Sequence, residues 1–465
     1  MKRLIVSELK KLFKSKSICF VVVGFMLLSI FVSVACMGED ANHSEYMNMS
    51  GEKVNLRTTL QDANDNMHKY AGEWTLDKGQ QIKKDALDKL NQLSMDAIDI
   101  DKMKDIYGDK YQTVIDMYQG KIVMEDKEIG KFLENLDIDQ FRFVSTLNGE
   151  NRCPEVYFRD TAKLNYLLIQ YGYLYYSIHD IEFLKNGFPI AEVLDDVLLD
   201  KKIDKQEFDR FEKEKDLRGR DAELFEAYIN EKVEALPTEF DSEISKDMFV
   251  ENIGMVFFIA TLVIIVVIAN IFGIERQYNV EQIIYPTQST KFKITIAKII
   301  TSFIVSLGIL WGATLLFFIS FYIILPPYNW NTMFLSTDML SYIFTYQEVM
   351  ISGFVLASLS ALVVTTLSLL LSYLTKNRFV VVIVLFSLVA LSWGMIGNGN
   401  MSLFLPVEMS LFTFFFSSGQ GWFPYVFIND SIVSMRTIVT IGWSLIIIFI
   451  TSMIIFHSRK SYIRS

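Results

Sequence analysis

Apolar residues in this chain are gathered into long runs. A hydrocarbon core roughly 30 Å thick takes about 20 apolar residues of helix to cross. Ile18–Met37, Ile253–Ile274, Ile299–Leu325, Val349–Leu374, Phe379–Ile396 and Thr437–Phe456 meet that demand, the fifth only just. Of the 465 residues 51% are hydrophobic, close to a soluble average, so their distribution sets the class. The expected fold is an all-α membrane protein with six transmembrane helices and a mainly helical extracellular domain. The first run exceeds the usual length of a secretory h-region and reads as a retained anchor.

Lys and Arg orient the spans, because positively charged loops stay inside. Six lie in residues 1–17 and four in residues 275–298, namely Arg276, Lys291, Lys293 and Lys298. Lys376 and Arg378 occupy the turn after the fourth run, and Arg459, Lys460 and Arg464 the tail; residues 326–348 have none, and residues 397–436 only Arg436. Both termini are therefore expected in the cytoplasm of a multi-pass cell-membrane protein, with residues 38–252 outside. That segment holds 47 acidic and 28 basic residues, a net charge near −19. Such acidity argues against nucleic acid as a partner.

Residues 1–17 read as a cytoplasmic amphipathic interface helix. Leu4, Ile5, Leu9, Leu12 and Phe13 share a face, and the lysines reach towards anionic headgroups. In the outer segment, Thr75–Leu93 carries a candidate N-cap at Thr75, an early acid at Asp77, and Ile82, Ala86, Leu90 and Leu93 at helical spacing. The aromatic-rich stretch 160–185, with Tyr166, Tyr171, Tyr173, Tyr175, Tyr176 and Phe183, reads as a packed helical core, and the charge-dense residues 200–247 as a solvated helix. Met401–Phe416, broken by Pro406 and Glu408, suits a re-entrant segment within the outer loop 397–436.

No catalytic, cofactor or metal site is expected. A phosphate loop is missing, since Gly120-Lys121 and Gly130-Lys131 lack its other residues. His43, His68, His179 and His457 have no ligand spacing, and Asp195, Asp196, Asp200 and Asp204 lack the order and glycine of a calcium loop. Cys19 and Cys36, about 25 Å apart along one helix, cannot pair, and Cys153 is alone in the outer segment. Charged residues are absent from the centres of the spans, which argues against an ion-coupled carrier. Ser302, Ser306, Gly308, Ser358, Ser360, Thr365 and Thr366 suit close helix packing, and Ser302, Ser306, Thr365 and Glu408 are candidates for a weakly polar substrate path. Glu348 lies at the outer boundary.

Between the second and third runs lies "IERQYNVEQIIYPTQSTKFK", a polar island longer than a simple turn. An acid after the span, a short helical stretch, a proline with a small hydroxyl and basic residue, and a lysine leading into the next span follow in order. Glu275, Pro286, Ser289, Lys291 and Lys298 hold those places. The island resembles the first cytoplasmic loop of permeases of the ABC type-2 exporter class. Asn279 stands near the family's usual glycine, and Thr290-Lys291 replaces its usual arginine. The run order along the whole chain resembles the family too.

The resemblance implies the membrane-spanning permease subunit of an ATP-driven exporter. It implies a second permease chain, as a homo- or heterodimer, and a separate ATPase subunit that carries the ATP. The loop would couple to that subunit through Glu275, Arg276, Val280, Ile283, Ile284, Pro286, Ser289 and Lys291. The cargo stays open among antimicrobial peptides, drugs, lipids and ions, the acidic, aromatic-bearing domain leaning towards cationic amphipathic peptides. Two other readings stand beside it: a receptor or sensor with a ligand-binding outer domain, and a stand-alone secondary transporter.

Overall fold

The structure is a computed structural model. It describes residues 1–35, 46–48, 50–73, 75–136, 143–146, 151–159, 161–172, 174, 228, 231, 239–240, 244–269, 271–273, 288–325, 329–332, 344–375, 377–394, 425–428 and 431–460. The re-entrant stretch Met401–Phe416 with Glu408, residues 175–227 and most of the coupling loop lie outside them.

Among the described residues five helices are long and apolar enough to cross a membrane. They lie within α2 (Lys16–Ala35), α9 (Ile244–Ile268), α10 (Gln288–Ile324), α11 (Tyr346–Thr375) and α13 (Met435–Lys460). The fifth predicted run forms α12 (Arg378–Gly394), a 17-residue apolar helix of about 25 Å. More than half of the apolar stretches of α9 and α11 is buried, whereas α2 and α13 bury little within the chain. Phe20, Leu27 and Phe31 on α2 and Leu445, Ile448 and Phe449 on α13 are exposed, as lipid-facing residues are.

At one end of the bundle Phe249 of α9 meets the rings of Phe317, Phe318, Phe321 and Trp330 at 5.2–5.7 Å, mostly edge to face. At the same level the hydroxyls of Ser33 and Ser320 tie α2 to α10. These two helices also pack tightly at Gly312, where a Cβ would come within 2.9 Å of the Met26 methyl. Gly308, expected to serve close packing, is exposed and has nothing within 4 Å of where a Cβ would sit. Four residues apart, the two glycines share a face of α10 but lie at different heights along it.

α10 runs for 37 residues and begins eleven residues before the predicted start of the third span. Lys291, Lys293 and Lys298 lower the hydropathy without breaking the helix, since lysine is a good helix former. The predicted loop 275–298 therefore becomes helical at Gln288.

The segment between α2 and α9 builds two lobes. One, α3 (Leu56–His68) and α8 (Thr161–Leu167) with a following π-helical turn, shares a continuous core with the spans. Tyr166 donates to Asp62 at 2.9 Å, Gln170 donates to the Thr59 carbonyl at 2.9 Å, and Gln61 reaches the Ile324 carbonyl at the end of α10. Tyr166, Leu167 and Leu174 are buried, as a packed reading of that aromatic stretch requires; Tyr173, Tyr175, Tyr176 and Phe183 lie outside the described residues.

The other lobe packs the second half of α4 (Leu76–Ala97), α5 (Ile100–Tyr107), α6 (Tyr111–Tyr118) and α7 (Asp126–Glu134) with the strand pair β1 (Phe143–Ser145) and β2 (Arg152–Pro154), while Ile82 and Ala86 of α4 belong to the first core. α4 starts as its sequence predicts: Thr75 Oγ1 accepts from the Lys78 amide, and Ile82, Ala86 and Leu90 are buried. The short antiparallel strand pairs were not foreseen. Cys153 is wholly buried here, and burial pushes its thiol up to about 12. The Lys102 amide, and after it the Arg159 guanidinium, hold the Asp99 carboxyl below its ordinary range.

Candidate functional site: a buried junction at the foot of the bundle

The N-terminal helix α1 (Lys2–Phe13) lies against α10, and the two meet through charge. Glu8 is 5% exposed and Lys298 is 0% exposed, although each belongs to a residue type almost never fully buried without a partner. Lys298 Nζ stands 3.7 Å from Glu8 Oε2, while the other carboxylate oxygen accepts from Lys11 at 2.6 Å. Lys298 also donates to the Ile271 carbonyl just past α9, and its ammonium sits 5.3 Å from the centre of the Phe272 ring. Thr301 Oγ1 reaches the Ile5 carbonyl at 3.4 Å. One lysine thus fastens α1, the start of α10 and the exit of α9.

The exit of α9 is held from a second side. The Phe272 amide donates to Ser372 Oγ at 3.2 Å, and its ring meets Tyr373 edge-on at 5.3 Å, both at the end of α11. The Tyr373 hydroxyl lies 3.0 Å from His457 Nδ1, near the end of α13. Residues 271–273 are buried. Both flanks of residues 274–287 are therefore rooted in one junction of five helices, with Ile271–Gly273 on one side and the first turns of α10 on the other.

Of the predicted coupling residues, Glu275, Arg276, Val280, Ile283, Ile284 and Pro286 lie outside the described residues. Ser289 belongs to the first turn of α10, and Lys291 is half-buried there, its carbonyl accepting from Thr295 at 3.0 Å. Among the candidate path residues, Ser302, Ser306 and Thr365 are buried between helices. The hydroxyls of Ser306 and Thr365 are 2.5 Å apart and bridge α10 to α11. Thr365 Oγ1 also lies 2.7 Å from the Ala361 carbonyl, so its single proton is shared between that carbonyl and Ser306 Oγ. Ser302 returns its hydroxyl to the Lys298 carbonyl. Ser306 and Thr365 thus join two helices, and Ser302 bonds within its own.

Glu348 accepts from the Thr345 amide, and Thr345 Oγ1 accepts from the Glu348 amide. This reciprocal pair is a capping box that starts α11. Its T-x-x-E spacing was readable in the sequence. Glu8, Tyr373 and His457 were not singled out by sequence reasoning. The signal for Glu8 is its register: it falls midway between Leu4 and Leu12, four residues from each, on the apolar face of α1. Nothing in the sequence marks Tyr373 or His457, which meet across 84 residues.

Among the described residues no group of three or more His, Cys, Asp or Glu side chains could hold a metal ion. The junction offers mechanical linkage: it contains a buried ion pair, ring contacts and hydrogen bonds. Compared with the models of known protein families, with curated proteins and with solved structures, the chain matches none.

Proposed function

We propose that this chain is the membrane-spanning permease subunit of an ATP-driven exporter of the ABC type-2 class. It would have six spans, α12 being the fifth, both termini in the cytoplasm of the cell membrane and residues 38–252 outside. Two such chains would form the channel, and a separate ATPase subunit would supply the ATP. The observation that carries the reading is the rooting of residues 274–287. A force applied to a segment held at both flanks by α9, α10, α1 and α11 moves those helices together. Packed elements transmit displacement as rigid bodies and do not absorb it. Ile283 and Ile284 would enter the cleft of the ATPase, and Glu275 and Arg276 would fix the segment's start.

The test is co-expression of the full chain with ABC ATPase subunits of its own genome, followed by purification in mild detergent. The expected result is a stable complex that Ile283→Asp with Ile284→Asp dissociates while the chain stays monodisperse. Failure of the unaltered chain to retain an ATPase, or retention undiminished in the double variant, overturns the coupling role.

A further inference from the structure

The sequence suggests that α1 turns Leu4, Ile5, Leu9 and Leu12 to the lipid. The structure turns them inward instead. Leu12 is 1% exposed, Leu9 packs on the core shared with the spans, and the Ile5 carbonyl meets α10. Glu8, the sole acid of the helix, is withdrawn into the junction with them. The outward face is left to Arg3, Val6, Lys10, Phe13 and Lys14, all exposed. Arg3, Lys10 and Lys14 recur at helical spacing on that face and take part in no ion pair among the described residues. Val6 and Phe13, each 42% exposed, stand between them.

We infer that this face is a binding surface for anionic phospholipid headgroups. It rests on the membrane part of the reading above and not on the ATPase. Three unpaired cations beside two apolar side chains, on a helix joined directly to a membrane-crossing one, match a phosphate layer over an acyl boundary. A soluble anion would use the cations but would gain nothing from Val6 and Phe13. Withdrawal of Glu8 removes the one carboxylate that would repel the headgroups. Because the opposite face of α1 holds Lys298, headgroup binding presses the helix onto the junction and stabilises the roots of residues 274–287.

The test uses the full chain in nanodiscs of phosphatidylcholine alone or with a fraction of phosphatidylglycerol. Lipid retention is read by native mass spectrometry after transfer to detergent, and the thermal midpoint by loss of monodispersity. Phosphatidylglycerol is expected to be retained and to raise the midpoint. Lys10→Gln with Lys14→Gln lowers its affinity roughly 30-fold at low salt, about fivefold per cation, while Lys10→Arg with Lys14→Arg preserves it. Both variants should match the parent in phosphatidylcholine, which separates lost binding from lost folding. Equal retention by the glutamine variant and the parent overturns the proposal. So does the same rise in midpoint with soluble glycerophosphoglycerol, which identifies a free-anion site. Loss of the ATPase complex with intact lipid retention would count against the coupling role alone.

Discussion

Replacing Glu8 by Gln removes the carboxylate 3.7 Å from a fully buried ammonium and leaves the helix-forming backbone intact. At an effective dielectric of about 20, unit charges at that distance attract by about 4.5 kcal/mol. Desolvation offsets much of this in the intact pair, but removing one partner of a buried pair costs about 3–5 kcal/mol. Lys298 keeps the Ile271 carbonyl and the Phe272 ring, which places the expected cost at the low end, about 3 kcal/mol. The reverse change, Lys298→Met, leaves Glu8 its 2.6 Å contact with Lys11, an ammonium still partly in solvent, and should cost only about 1 kcal/mol. The two substitutions are thus unequal, and the double variant should be less destabilised than Glu8→Gln alone. Opening of α1 can be followed through Leu12→Cys, a position 1% exposed, with Cys19 and Cys36 changed to serine. Alkylation should quicken by roughly 100-fold in Glu8→Gln and about fivefold in Lys298→Met, at 1.4 kcal/mol per tenfold. Equal rates in the two single variants, or a change below threefold in Glu8→Gln, would refute a buried ion pair as the fastening of α1.

Gly312→Ala should be mild, because the Met26 terminal methyl can swing aside, whereas Gly312→Val should lower the thermal midpoint and be partly rescued by Met26→Ala. Thr345→Ala should cost about 1 kcal/mol through loss of the cap that starts α11, measured by urea midpoint in micelles. Cys153 should resist maleimide in the folded chain. Its folded thiol ionises near 12 and its unfolded one near 9. The folded state therefore holds the proton more tightly, and this stabilisation is full below pH 9 and lost as pH rises towards 12. The drop in denaturant midpoint between pH 8 and pH 10.5 should be smaller in Cys153→Ala.

The spans were legible because a bilayer demands length and apolarity, and both can be read residue by residue. α4 was legible for a similar reason, since Thr75 and the spacing of Ile82, Ala86 and Leu90 act locally. What escaped depends on neighbours distant in the chain. Gly308 and Gly312 share a face of α10, yet only one meets Met26. α10 starts ahead of the apolar run because hydropathy falls at Lys291 while backbone hydrogen bonding continues. Glu8 stands among lysines in the sequence, and its ammonium partner Lys298 lies far along the chain. The capping box at Thr345 was local and readable.

The uninterrupted length of α10 has one more consequence. Treated as a straight rod of about 55 Å, with its Ile324 end level with one face of a roughly 30 Å hydrocarbon core, its Gln288 end stands about 40 Å from the midplane. A tilt of about 10° around that midplane would sweep the Gln288 end through about 7 Å, but the Ile324 end through less than 3 Å. The helix is geared: travel is long where residues 274–287 are attached and short beside the lobes built between α2 and α9. By the same leverage, an obstruction there is felt at the foot as a much smaller opposing force.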